Sequence, residues 1–112
     1  MTQPIPPGFH TLTPYLVVDG AASLIEFVTK GFGGELKSRH ALPTGRVMHA
    51  SMKVGDSMLM LADAPEGQKA MRTMLYVYVP DTDAAYRKAL AAGGKSLMEP
   101  ADQFYGDRNA GV

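Results

Sequence analysis

The strongest constraint on how this chain folds is that part of it occurs twice. YLVVDGAASLIEFVTKGFGGEL, from Tyr15, aligns with YVYVPDTDAAYRKALAAGGKSL, from Tyr76, at an offset of about sixty residues. Each copy reads as a strand, an Asp-containing turn, an amphipathic helix and a Gly-Gly pair. Tyr15 falls on Tyr76 and Val18 on Val79, and Gly33-Gly34 falls on Gly93-Gly94 once one residue is dropped within the helix. Self-similarity at this spacing means that one supersecondary unit has been used twice and that both copies must bury an apolar face.

The first helix is expected to start near Asp19, whose carboxylate can cap free backbone N–H groups, and to bury Leu24, Phe27 and Val28 on one stripe. Gly31 and the Gly-Gly pair are expected to stop it. The second is expected to start near Asp81 or Thr82, to bury some of Ala85, Tyr86, Ala89 and Leu90, and to end at Gly93. After the first helix come three strand-like runs, GELKSRHAL, RVMHASMKV and SMLMLAD, the last two joined by the hairpin signal Gly55-Asp56.

The pattern predicts an α+β fold of two repeated β-α-β-β-β modules forming curved mixed sheets around a cavity, the second module incomplete. Residues 1–12, with three prolines in the first seven, form an extended arm; 13–64 form the first module, 65–72 a linker and 73–112 the second module. The second copy supplies a strand, a helix, a run around Lys95 to Met98 and then QFYGDRNAGV, and the counterpart of SMLMLAD falls past Val112. A sheet with an unfilled edge invites pairing with another molecule, so a homodimer is expected.

Strand alternation sorts the side chains into two faces. In MLYVYV, Leu75, Val77 and Val79 make one face, while Met74, Tyr76 and Tyr78 make the other. In RVMHASMKV, an apolar face of Met48, Ala50, Met52 and Val54 opposes a mixed one of Val47, His49, Ser51 and Lys53; in SMLMLAD, Leu59 and Leu61 oppose Met58, Met60 and Ala62. If the modules curl together, the second faces meet around a pocket walled by Thr13, Tyr15, His49, Ser51, Met58, Met60, Met74, Tyr76 and Tyr78, with Phe104 and Tyr105 closing one end. Methionine adapts to irregular apolar ligands, and His49 with the tyrosine hydroxyls could orient a polar group. The same stripes also read as a filled core with His49 at its rim. His10 and His40 read as surface residues, and Asp107-Arg108 as a hairpin turn with local ion pairing.

Composition narrows the function. Eleven basic residues balance eleven acidic ones, so no broad positive field favours nucleic acid or anionic membranes. Without cysteine, thiolate chemistry and Cys-built zinc sites are excluded. No apolar run is long enough to span a bilayer and the N-terminus lacks a signal pattern, so a cytoplasmic location is expected. Among enzyme motifs there is no phosphate-binding Gly-rich loop, no nucleophile elbow and no Cys-His pair.

With TPYLVVDGAASLIEFVTKGFGGEL, GRVMHASMKVGDSMLMLAD, VYVPDTDAAYRKALAAGGK and FYGDR in this order, the chain resembles the glyoxalase/bleomycin-resistance/dioxygenase (vicinal oxygen chelate) superfamily, and within it the PhnB-like subgroup. The resemblance implies two sheet modules, each cupping a site, often in dimers. Its metal-dependent members hold a divalent ion at positions that fall here on Thr13, Met60 and Met74, none of them a good ligand for a hard or borderline cation. The resemblance therefore implies a metal-free protein that binds a small, largely apolar or aromatic molecule, as in sequestration or drug resistance, with no catalytic residue and no cofactor. The alternative is a lyase, isomerase or dioxygenase that depends on a divalent metal.

Overall fold

The computed structural model describes residues 3–112; Met1 and Thr2, at the tip of the expected arm, lie outside them. The rest of the arm contains no helix and folds back only through a turn in which Phe9 N donates to Pro6 O at 3.1 Å. The elements that follow are β1 (Tyr15–Val18), α1 (Ala21–Phe32), β2 (Glu35–Ala41), β3 (Val47–Val54), β4 (Ser57–Asp63), α2 (Thr82–Ala91), β5 (Met98–Asp102) and β6 (Arg108–Gly111). The fold is α+β, with a mixed four-stranded sheet and a separate two-stranded one.

The larger sheet has the order β1-β4-β3-β2, with β1 parallel to β4 and the other pairs antiparallel. Alternation turns Leu16, Leu59, Leu61, Ala50 and Met52 towards α1, where Ala21, Ile25 and Val28 complete the core. Burial of each large apolar side chain here contributes roughly 1.5–3 kcal/mol. The buried helix stripe is centred on Ile25, with Leu24 and Phe27 only partly covered, so it is rotated from the expected Leu24–Phe27–Val28 face.

Three local expectations are corrected. Asp19 does not cap α1. Its N-cap is Gly20, in the left-handed region (φ 92°), and the free N–H groups of Gly20 and Ala21 donate to Asp63 Oδ1 at the end of β4, both at 2.9 Å. Gly31 does not stop the helix, which continues to Phe32 and is capped by Gly33 (φ 68°). Gly31 instead allows α1 to approach α2, since a Cβ there would meet Ala89 Cα at 3.4 Å and Ala92 Cβ at 3.5 Å. Finally, Val47 is buried in the core and Met48 is exposed, the reverse of simple alternation. Opposite β2 the pairing passes from His40–His49 directly to Ala41–Val47, so Met48 is the extra residue of a β-bulge and the side chains beyond it change face.

The second module repeats the first only in part. Asp81 caps α2, its carboxylate accepting from Ala84 N at 3.0 Å, and Ala89 is the buried residue of that helix. Gly93 (φ 111°) takes the left-handed conformation as Gly33 does. Gly94 matches Gly34 in allowing close packing: a Cβ on Gly94 would lie 3.0 Å from the Phe27 ring, and one on Gly34 would lie 2.7 Å from Val28 Cγ1. The two modules therefore join through the backs of their helices. The next strand is β5, at Met98–Asp102 rather than around Lys95 to Met98, and it pairs antiparallel with β6. Residues 74–79, expected to be a strand, belong to neither sheet and make no backbone–backbone hydrogen bond among the described residues.

Candidate functional site

The sheet has one face covered by α1 and one that is open at Tyr15 and His40, although Ser51, Met58 and Ala62 on it are buried. Residues alternate with the α1-facing set, so the opposite face carries Tyr15 on β1, Met58, Met60 and Ala62 on β4, His49 and Ser51 on β3, and Ser38 and His40 on β2. One row crosses all four strands, from Tyr15 through Met60 and Ser51 to Ser38. Ser51 is buried and shares a 2.7 Å hydrogen bond with Ser38, which ties the floor of this face together. Above it lies an aromatic row: the Tyr15 and His49 rings are 5.8 Å apart, and those of His49 and His40 are 6.4 Å apart.

Five of the residues expected to line a site, Tyr15, His49, Ser51, Met58 and Met60, are thus brought to one face. His40, read from sequence as a surface residue, is exposed, and it is also the direct cross-strand partner of His49. Its place depends on the two bulges of the β2–β3 pair, for which strand alternation alone gives no signal. Thr13 stands just ahead of β1, half-buried, with its hydroxyl donating to His10 O at 3.3 Å.

The other expected residues lie elsewhere. Tyr76 and Tyr78 both donate to Asp107 Oδ2, at 2.8 and 3.5 Å, so they project to one side, as alternate residues of an extended chain do. Asn109 Nδ2 donates to the hydroxyls of Tyr76 (3.0 Å) and Tyr105 (2.9 Å). The donation from Asn109 lowers the Tyr76 pKa, but the hydrogen bond and charge of Asp107, with some burial, outweigh it and leave the value raised. Phe104, 99% exposed, sits on the β5–β6 turn edge-on to Tyr105, and Met74 is 88% exposed. Asp107 and Arg108 lie at the β5–β6 hairpin, and Arg108 makes an ion pair across it with Asp102. Arg108 reaches Asp83 on α2 at 2.7 and 3.1 Å as well as Asp102 on β5 at 3.2 Å, which raises its pKa, Asp83 contributing most, and lowers that of Asp83.

Between residues 74–79 and β6, over the Ala85 and Ala89 face of α2, lies a groove of about 300 Å³. By the repeat, residues 74–79 correspond to β1 and β6 to β3, so the groove occupies the place that β4 fills in the first module. It contains Tyr76 and Tyr78 but none of the residues of the open sheet face.

A curved mixed sheet with its helix on one side, preceding a partial second copy, defines a fold class built on paired β-α-β-β-β units. The model of the Glyoxalase/Bleomycin resistance protein/Dioxygenase superfamily matches residues 8–110, and the chain belongs to that superfamily. An uncharacterized Mycobacterium bovis protein is 35% identical over 87% of this chain and 71% of its own length; an uncharacterized Mycobacterium tuberculosis protein has the same identity but is matched over 64% of its length. Among solved structures, TioX from Micromonospora sp. ML1 superposes with a TM-score of 0.67 at 20% identity, over 90% of this chain and 84% of that one. The PhnB protein from Bacillus cereus, a putative 3-demethylubiquinone-9 3-methyltransferase, gives 0.64 at 17% identity, over 88% and 87%.

The divalent metal associated with parts of this superfamily does not fit the residues found here. Thr13 is engaged with His10, Met60 is a thioether beside Tyr15, and Met74 is exposed on the segment outside both sheets. No group of three or more His, Cys, Asp or Glu side chains converges among the described residues. Neutral hydroxyl and soft thioether groups do not compensate the dehydration of a hard cation. No helix in the described residues is long and apolar enough to cross a membrane.

Proposed function

We propose that the protein binds a small, largely apolar or aromatic molecule on the open face of the four-stranded sheet, without a divalent metal. The observation that carries this reading is the aromatic row Tyr15–His49–His40 beside Met60. Rings and thioethers give a polarizable bed, while the ring nitrogens and the phenol supply orientation. A sequestering role in the cytoplasm belongs to the same proposal. The test is metal analysis of protein purified without chelator, then titration with nickel, zinc and manganese while thermal unfolding is followed. The expected result is no stoichiometric ion and an unchanged midpoint. A bound ion that raised the midpoint would favour the metal-dependent enzyme instead, because a ligand specific to the folded state stabilises it. Native mass spectrometry of freshly purified protein then identifies what the face holds.

The proposal includes self-association. Residues 74–79 and the outer edge of β6 carry unpaired backbone groups on either side of the groove, a template for strand pairing. A homodimer that covers these edges is expected by light scattering at low micromolar concentration. A well-behaved monomer under those conditions overturns this part of the reading and leaves the sheet face unaffected.

A further inference from the structure

The charge and hydrogen-bonding capacity of the open face narrow the ligand class beyond apolar or aromatic. His40 and His49 are direct partners across antiparallel strands, their rings 6.4 Å apart and tilted by 40°. Tyr15 flanks His49 on the other side at 5.8 Å. Among the described residues no protein group takes up the Tyr15 hydroxyl or either imidazole, whereas Ser38 and Ser51 satisfy each other. Each imidazole carries at least one N–H donor in any protonation state, and the phenol adds an O–H. Three neighbouring groups that can all donate are therefore left unused, side by side.

The surrounding charges point the same way. Lys53 lies two residues beyond Ser51 on the same face of β3. At that end Glu35, opposite Lys53, is held by Lys37 at 2.8 Å, which together with the Lys53 charge keeps its pKa low, and Asp56 in the β3–β4 turn accepts from Ser57 Oγ at 2.9 Å. Asp63 faces the other way, into the start of α1. A face whose donors at Tyr15, His40 and His49 have no carboxylate beside them is complementary to an acceptor bearing negative charge, and hydrogen bonds to a charged partner are the stronger kind.

We propose that the ligand is a planar aromatic compound bearing an anionic oxygen group, a carboxylate or phenolate, and that His40 together with His49 reads this group while Tyr15 and the methionines hold the ring. This rests on the binding reading given above and adds His40 as a specificity-determining residue. The test compares 2-naphthoate with its neutral analogue 2-naphthamide by isothermal titration calorimetry on the full chain. Naphthoate is expected to bind about tenfold more tightly, the scale of one hydrogen bond to a charged group. His40→Ala and His49→Ala should each lower that ratio and the double variant should bring it close to one, whereas His49→Gln, which keeps an N–H donor, should retain part of it. Equal affinities in the wild-type protein, or a ratio indifferent to both histidines, would overturn the anionic assignment and leave the binding reading standing. Failure of both probes to bind at saturating concentration would overturn both.

Discussion

Tyr15–Val18 and residues 76–79 occupy equivalent places in the repeat and are almost equally apolar, yet only the first is a strand. The difference lies in the neighbour. β1 pairs with β4 along its whole length, with Tyr15 opposite Met60 and Val18 opposite Asp63, and Leu16 is buried against Leu61. Residues 74–79 have α2 behind them but no strand beside them, and Leu75 and Val77 remain more than 40% exposed. β-propensity expresses fit to a half-buried pleated surface, so the same apolar alternation gives a ladder in one module and an unpaired segment in the other.

The largest expected contrast between the modules is in core truncation. Leu61→Ala removes a fully buried side chain from between β1, β3 and α1 and is expected to cost about 2–5 kcal/mol. Leu75→Ala, on the segment that corresponds to β1 in the second module, is expected to cost less than about 1 kcal/mol. Urea unfolding of the two variants measures both, and equal losses would show that residues 74–79 are packed as tightly as β4.

Asp63 provides the next test, because nothing in the second module does its work. It accepts from Gly20 N and Ala21 N and, through its other oxygen, from Val47 N at 2.8 Å, so one carboxylate joins the starts of α1 and β3 to the end of β4. Burial raises its pKa, but the hydrogen bonds from Ala21, Val47 and Gly20, with the nearby Arg46 charge, outweigh this and hold it below the usual carboxylate value. A depressed value in the folded state means stabilisation that is fully present above the unfolded-state pKa, about 3.9, and is lost as pH falls through the lower folded value. Asp63→Ala is expected to cost roughly 2–3 kcal/mol at neutral pH, the scale of a lost cap plus charge-assisted hydrogen bonds, and to flatten the acid limb of stability against pH. An acid limb as steep as that of the wild-type protein would remove Asp63 as its source.

The Gly-Gly pairs sharpen the comparison at finer scale. Gly34→Ala places a Cβ 2.7 Å from Val28 Cγ1 and is expected to cost about 1–3 kcal/mol. Gly94→Ala meets Ala89 O and the Phe27 ring at 3.0 Å and should cost less, as the melting temperatures of the two variants will show. The smallest effect is expected from Arg108→Ala. Its pairs with Asp83 and Asp102 are exposed, and such pairs are screened by solvent and salt, so the midpoint should barely move and should move less still at high salt.

Much of this was legible in the chain itself. The repeat predicted the helices and the first module, and the Gly55-Asp56 signal its hairpin, because apolar periodicity and turn residues act locally; the family followed from the resemblance of the ordered motifs. Features that depend on register were not legible. The bulge at Met48 moved Val47 into the core, and a second irregularity, between Leu36 and Ser38, helped to set His40 opposite His49. The cap on α1 comes from a residue more than forty positions away, so Asp19, the local candidate, gave a false signal. The expected single pocket rested on the two modules' faces meeting, but their helices meet instead, through Gly31 and Ala89; five candidate residues share the sheet face, Tyr76 and Tyr78 line the groove, and Thr13, Met74, Phe104 and Tyr105 belong to neither.

That helix-to-helix junction places the cohesive contacts of the molecule behind the sheet, while Tyr15, His40 and His49 stand in front of it. Substitutions at these three positions leave the interior that α1 and the strands share untouched. A lineage built on this arrangement is free to exchange one guest for another by altering a few front-facing side chains, with little consequence for whether the chain folds.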